Sequence, residues 1–398
     1  MSKKIWSLLT FLLLVTMLLT ACGGAATEVP TEAPAEPVEL TIWHSYHTGE
    51  NEEKAINQIL ADYKTKFPDV TVNVLSVPFD QIANKWSTEV AAGGGPDMFT
   101  MPNDSMGDWI RGGLIAPIDE YVAGKLGGFS ELAVNGVSYE GKIYAVPGIA
   151  KAVGLFYNKS LVPTPPATTD EMLQMVKDGQ VLLNPPWAYH NFGTWTGAFG
   201  GALMDETGKC VADQGGFEQA LQYDKDLKDA GALFESDEGK ANTMFQQGEA
   251  AFIISGPWML GTFKESLGEN LGVAPLPAGP GGHATPLTGI DGWYINPNSE
   301  NKAAAVDLAL YIFGPEGSKI YADVAGAPMG RTDIEITDPM IQTFAEIANA
   351  GFPRPQSTEF GAWWGAFDDA HKKLLEGQGD PKALVEEACA SMNTANNK

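Results

Sequence analysis

The chain has 398 residues, of which 44% are hydrophobic and 10% aromatic, and a formal net charge of −25 at pH 7. This size and composition allow about two or three domains with sizeable cores, which excludes disorder along the whole chain. The acidic balance argues against a nucleic-acid-binding protein, because no basic cluster is available to contact phosphate.

The N-terminus has the pattern of a secretory signal. Two lysines precede an apolar run, Ile5–Leu19, which small residues follow. A single membrane-spanning anchor is the alternative, although such an anchor usually needs about 20 apolar residues. The sequence Leu19-Thr20-Ala21-Cys22 resembles the lipobox of bacterial lipoproteins. The resemblance implies that residues 1–21 are removed as a signal peptide and that Cys22 is lipidated, which anchors the protein outside the cytoplasmic membrane.

Residues 22–37 are small, Pro-rich and mildly acidic, so we expect a disordered tether. Two further cysteines, Cys210 and Cys389, lie in the folded part. An extracytoplasmic location permits a disulfide between them. Two separate buried thiols are the alternative, because a disulfide requires Cα atoms within about 7 Å.

Strand and helix patterns alternate at the start of the folded part. The residue alternation in 38–43 predicts a strand, and an amphipathic helix then ends at Phe67-Pro68. A second strand from Val70, a helix around Trp86 and a short strand at 98–100 follow. This succession predicts an α/β layer with a mostly parallel sheet.

A second α/β segment begins with a predicted strand at 154–158. Thr169-Asp170-Glu171 favours a helix start, and Asp338-Pro339 predicts another, with the acid as the cap and proline in the first turn. The remaining predicted elements are helices through 217–227 and 302–313, a strand within 250–255, and two helices within 363–393 that separate at 377–380.

Five segments carry a family resemblance when they are taken in chain order. They are Glu39–Trp43; Gly95–Phe99 with Gly113–Ile118; Gly141–Pro147 with Leu155–Lys159; Phe245–Phe252 with Gly256-Pro257-Trp258; and Gly289–Asn296 followed by a helix from Lys302. Together they resemble the family 1 extracellular solute-binding proteins, the maltose-binding-protein-like components of bacterial ABC importers, over about residues 39–395.

The resemblance implies an α/β, two-lobed periplasmic-binding-protein fold of type II, with a hinge and an interlobe ligand cleft. The N-terminal lobe would comprise 38–149 plus 290–334, and the C-terminal lobe 152–285 plus 338–398. Closure around a ligand would be the functional motion. The expected partners are a carbohydrate and the permease subunits of the transporter; a monomer without cofactor or metal is expected.

A sugar site needs flat aromatic faces for C–H surfaces and polar side chains for hydroxyl groups. By resemblance, Trp258 matches an aromatic that stacks on sugar, Trp363 and Trp364 match an aromatic pair, and Asp104 matches a hydrogen-bonding acid. Core packing is the alternative for the tryptophans, and a turn or cap is the alternative for Asp104. Further candidates for ligand contact are His44, Tyr46, Lys151, Trp187, Trp195, Asp291 and Trp293.

Some features of these candidates leave the ligand open. His44 and His47 could instead belong to a surface loop. A metal site is a weaker alternative, because no Cys or third His lies nearby in the sequence. Lys151 stands where maltose-binding relatives carry Glu, and Met101 where they carry an aromatic residue. These departures indicate that the maltodextrin site of the relatives is not copied whole. Another mono- or oligosaccharide is therefore the expected ligand.

Three other functions compete with carbohydrate transport. A glycoside hydrolase would need two carboxylates about 5–9.5 Å apart, and no motif pairs them. A polyamine would exploit the acidic balance through carboxylates and aromatic faces. A surface lipoprotein without a transport role is the third alternative.

Overall fold

The computed structural model describes residues 37–398. The predicted signal peptide, Cys22 and nearly all of the tether lie outside the described residues. The strands are β1 (Val38–His44), β2 (Val70–Ser76), β3 (Met98–Pro102), β4 (Ser138–Tyr139), β5 (Lys142–Ile143), β6 (Ala145–Lys151), β7 (Gly154–Asn158), β8 (Leu182–Leu183), β9 (Phe252–Ser255), β10 (Leu271–Ala274), β11 (Leu287–Ile295) and β12 (Phe352–Pro353).

The helices that the sequence analysis predicted lie close to their predicted positions, and several shorter helices were not predicted. The helices are α1 (Asn51–Lys66), α2 (Phe79–Ala91), α3 (Met106–Arg111), α4 (Asp119–Val122), α5 (Glu131–Gly136), α6 (Thr169–Lys177), α7 (Phe192–Phe199), α8 (Phe217–Ala230), α9 (Glu238–Gln246), α10 (Leu260–Leu267), α11 (Lys302–Ile312), α12 (Pro315–Ile320), α13 (Pro339–Ala350), α14 (Gly361–Leu375) and α15 (Pro381–Ala395). The Asp338 side chain accepts a hydrogen bond from the Met340 backbone N–H, which confirms the predicted start of α13. No helix within the described range is both long and apolar enough to cross a membrane.

Two principal sheets form the two lobes. The first has the order β12-β11-β3-β1-β2, with β6 also paired to β11. β1 pairs in parallel with β2 and β3, as predicted, whereas β11 is antiparallel to both β3 and β6. The expectation of a mostly parallel sheet fails at β11, because this strand returns from the second lobe and enters the sheet from its opposite end.

The second sheet has the order β10-β7-β9-β8. Its β8–β9 pairing is parallel, and β7 is antiparallel to both β9 and β10. β6 ends at Lys151 in the first sheet and β7 begins at Gly154 in the second, so the chain passes between the sheets within a few residues. The residue bounds of the two lobes remain predictions.

Apolar side chains pack on both sheets. In the first lobe, Trp86 stacks on Phe99 with ring centroids 4.0 Å apart. A separate core joins α8, α14 and α15, where Cys210 and Cys389 form a disulfide with a Cα–Cα distance of 5.3 Å. The disulfide decides between the two alternatives left by the sequence and ties the last helix to the loop before α8.

Candidate ligand-binding cleft

A buried ion cluster lies between the first sheet and α1. Lys151 ends β6, Asp291 lies in β11 and Glu52 is in the first turn of α1. The Lys151 Nζ donates to Glu52 Oε1 at 2.7 Å and lies 3.2 Å from Asp291 Oδ2. All three side chains are at least nine-tenths buried, so each charge depends on the others for stabilisation.

The pKa shifts in this cluster follow from burial and mutual charge. Burial and the nearby Glu52 carboxylate raise the pKa of Asp291, although Lys151 acts in the opposite direction. For Lys151, burial lowers the pKa, but Asp291 and Glu52 outweigh it, so that the net shift is upward. Lys151 therefore keeps its positive charge, while Asp291 binds a proton more readily than an exposed aspartate does.

Aromatic rings enclose the same ammonium group. The Lys151 Nζ lies 5.8 Å from the ring centroid of Tyr46 and 5.6 Å from that of Trp258, both within the range of cation–π contact. Tyr46 is held by stacking on His44 at 5.2 Å and by the Tyr321 hydroxyl, whose oxygen is 3.1 Å away. Tyr46 belongs to the first lobe, whereas Trp258 follows β9 of the second, so both lobes contribute to the cleft.

A second ion pair extends the cleft. Arg354, which follows β12, pairs with Asp104, which follows β3. The guanidinium carbon lies 4.8 Å from the ring centroid of Tyr189 and 5.5 Å from that of Trp364. The Trp364 Nε1 donates to the Asp104 backbone oxygen at 3.1 Å. Burial lowers the pKa of Arg354 to about 9, which still leaves the group charged at neutral pH.

Glycine at position 289 allows this arrangement. A Cβ atom there would lie 2.5 Å from the guanidinium carbon of Arg354, so the guanidinium could not keep this position. Tyr189 then connects the two ion groups, because its hydroxyl donates to the Lys151 backbone oxygen at 3.2 Å. Its ring centroid is 6.4 Å from that of Trp258. The two groups thus form one continuous surface of charges and aromatic faces.

Several buried polar atoms on this surface lack a partner. Within residues 37–398, no hydrogen-bond partner is present for His44 Nδ1, Asp291 Oδ1, His190 Nδ1 or Arg354 Nε. Buried polar groups are normally paired, since an unpaired one costs about 1–3 kcal/mol. The cleft therefore offers both donors and acceptors to a polar ligand.

The two lobes touch at both rims of the cleft. At one rim, the Asn51 Nδ2 donates to Glu265 Oε1 at 3.2 Å, and Thr262 donates to Glu50. At the other rim, α3 lies against the segment before α14, where a Cβ on Gly107 would be 2.4 Å from the Ser357 backbone oxygen. These contacts join segments that the sequence analysis assigns to different lobes.

The structure brings together many of the residues singled out from the sequence. Those in the cleft are His44, Tyr46, Asp104, Lys151, Trp258, Asp291 and Trp364.

Four tryptophans that were predicted to contact the ligand lie outside this group of residues. Trp195 is in the second-lobe core, where its Nε1 donates to Asp224 Oδ1 at 3.1 Å, so it is not among the cleft residues. Trp363 stacks between Phe360 and Phe367 in the α14 core. Trp293 is fully buried in β11, and Trp187 is 41% exposed in the loop before Tyr189.

The sequence interpretation missed Glu52 and Arg354. A buried lysine such as Lys151 needs a carboxylate partner. That need is a signal that could have directed attention to the acidic first turn of α1, which contains Glu52. Arg354 is one of three arginines, and it stands between two prolines. Within the described residues, no group of three or more His, Cys, Asp or Glu side chains is arranged to hold a metal ion.

Comparison with known proteins supports the fold and gives the family. The model of a family described as "Bacterial extracellular solute-binding protein" matches residues 58–348. The chain is 28% identical to the maltotriose-binding protein of Pyrococcus abyssi, over 88% of this chain and 80% of that protein. It is 25% identical to the galactooligosaccharide-binding protein of Bacillus subtilis, over 94% and 93% of the two chains.

Solved structures have the same fold. The maltose/maltodextrin-binding domain MalE from Bdellovibrio bacteriovorus, bound to maltotriose, superposes with a TM-score of 0.83 at 23% identity, over 91% of this chain and all of that chain. The maltotriose-binding protein of Thermus thermophilus, bound with maltotriose, superposes with a TM-score of 0.78 at 26% identity, over 90% of this chain and 100% of that chain. The chain therefore belongs to the bacterial extracellular solute-binding proteins, in the family 1, maltose-binding-protein-like group.

Proposed function

We propose that this protein is the substrate-binding component of an ABC importer and captures a mono- or oligosaccharide by closure of its two lobes. The observation that carries the proposal is the composition of the cleft. Tyr189 and Trp258, which are only partly buried, supply rigid aromatic surface for the C–H faces of a sugar ring, and Tyr46 packs beneath them at Lys151. The unpartnered polar atoms beside them match the hydroxyl groups of such a ligand.

The charges of the cleft favour a neutral ligand. Lys151 is neutralised by Glu52 and Asp291, and Arg354 is neutralised by Asp104. An uncharged saccharide can bind without removing any of these counter-ions. The relatives named for maltotriose and galactooligosaccharide support the same ligand class.

Three further parts of the proposal concern the cellular setting. The protein is exported, is anchored through a lipid on Cys22, and delivers its ligand to membrane permease subunits. A relative named as a solute-binding lipoprotein of a maltooligosaccharide ABC transporter in Streptococcus pneumoniae supports this setting. Metabolic labelling with a radioactive fatty acid should mark the wild-type protein and leave a Cys22→Ala variant unlabelled.

Isothermal titration against a panel of neutral saccharides tests the ligand class. At least one member should bind, and Trp258→Ala should weaken that binding by about 1–3 kcal/mol through loss of a buried aromatic contact. Phe67→Ala, at an exposed aromatic residue that follows α1, serves as the control and should leave affinity unchanged. Binding of a diamine with no binding of any saccharide would favour the polyamine alternative.

A further inference from the structure

The ammonium group of Lys151 lies in a complete binding site for a cation. Two carboxylates, Glu52 and Asp291, approach it at 2.7 and 3.2 Å, and two rings, Tyr46 and Trp258, lie within 6 Å of it. This combination of paired acids and aromatic faces is the one that a protein would use to bind a ligand ammonium.

We propose that Lys151 is an internal counter-ion that determines specificity. It occupies an ammonium site within the cleft and thereby excludes amine-bearing solutes in favour of neutral ones. The inference rests on the proposed function, because it concerns selectivity in the same cleft. It assigns Lys151 a repulsive role, since a second cation beside it would meet like charge at short range.

The role of Lys151 as a simple donor to a sugar hydroxyl predicts a different behaviour. Under that role, Lys151 would contribute to affinity for the sugar without affecting the choice between neutral and amine-bearing ligands. Under the counter-ion role, removal leaves two buried carboxylates in front of two aromatic rings, and this space should bind an amine.

Lys151→Ala with an added amine separates the two roles. The atoms that alanine lacks, Cγ, Cδ, Cε and Nζ, are those of n-propylammonium. At about 50 mM, this amine should raise the melting temperature of Lys151→Ala by about 3 °C, because it binds the folded state alone. The wild-type protein should show no such rise, since Lys151 already fills the site.

Three controls identify the cause of any rise in the melting temperature of Lys151→Ala. 1-Propanol has the same shape without the charge, sodium chloride supplies ionic strength alone, and Lys151→Met fills the space with an uncharged chain. None of them should reproduce the effect of the amine on Lys151→Ala. An equal response to 1-propanol, or an equal response of the methionine variant to the amine, would overturn the counter-ion role.

The test does not depend on stable folding of the variant or on a saccharide ligand. If Lys151→Ala is recovered only when n-propylammonium is present during refolding, the proposal is supported. Lack of any stabilisation or folding rescue by the amine overturns it. Failure of saccharides to bind the wild-type protein would instead contradict the proposed function, because melting with the amine does not measure saccharide binding.

Discussion

Arg354 pairs with Asp104 between two aromatic rings, so that one ion pair joins the end of β3 to the segment before α14. Both side chains are largely buried, and the guanidinium depends on this carboxylate for its charge balance. The pair joins two segments that the sequence analysis assigns to different lobes.

Asp104→Asn should weaken ligand binding by about 1.5–3 kcal/mol, the scale of a hydrogen bond to a charged group. The substitution retains the shape of the side chain and leaves Arg354 without a carboxylate. Isothermal titration with the saccharide found in the panel measures the loss. Arg354→Lys should also weaken binding, because lysine keeps the charge but not the planar stacking on Tyr189 and Trp364. Unchanged affinity in both variants would contradict a role of the pair in binding.

Gly107→Ala should act on closure rather than on ligand contact. The added methyl group would meet the backbone of Ser357 and Thr358, which cannot move as easily as a side chain. The closed form is disfavoured, and we expect affinity to fall about tenfold through a shift of population toward the open form. The unliganded protein should not lose stability, because alanine is favoured over glycine within a helix by about 1 kcal/mol.

Gly365→Ala is the matched control for this variant. Gly365 is exposed in α14, and a Cβ atom there would have no neighbour within 4 Å. The control should show wild-type affinity, and small-angle X-ray scattering with ligand should show a larger radius of gyration for Gly107→Ala alone. Equal affinity of the two glycine variants would show that this contact does not govern closure.

The contrast between predicted and observed features has a physical basis. The starts of α6 and α13 follow from local hydrogen bonds between residues close in sequence, such as the bond from the Glu171 N–H to Thr168 Oγ1, and were predicted. The pairing of Lys151 with Glu52 joins residues 99 apart, and sequence periodicity carries no information on such distances. For the same reason the sequence did not show that Trp195, a further candidate for ligand contact, packs in a core.

Removal of the disulfide should lower stability. The bond between Cys210 and Cys389 joins residues 179 apart, so it restricts a large part of the unfolded chain. Replacing both cysteines with serine should reduce the free energy of unfolding by about 3–5 kcal/mol, as measured by urea denaturation. A reductant should cause a similar loss in the wild-type protein and none in the double variant. Coincident unfolding curves for the wild-type protein and the double variant would contradict this expectation.

His190 should make stability fall in acid. Burial lowers its pKa to about 3, whereas histidine in an unfolded chain has a pKa of about 6.5. Between these values the unfolded chain binds a proton that the folded protein does not. The free energy of unfolding therefore decreases as the pH falls through this range, by at most about 1.4 kcal/mol per pH unit from this group.

His190→Gln isolates that contribution, because glutamine is polar but does not titrate. Urea denaturation of both proteins at about pH 7.5 and pH 4.5 should give a smaller loss of stability in the variant. A constant offset between the two proteins reflects the changed packing and does not affect the comparison. Parallel pH dependences would show that His190 is protonated in the folded protein as readily as in the unfolded chain, and hence that its burial does not exclude the charge.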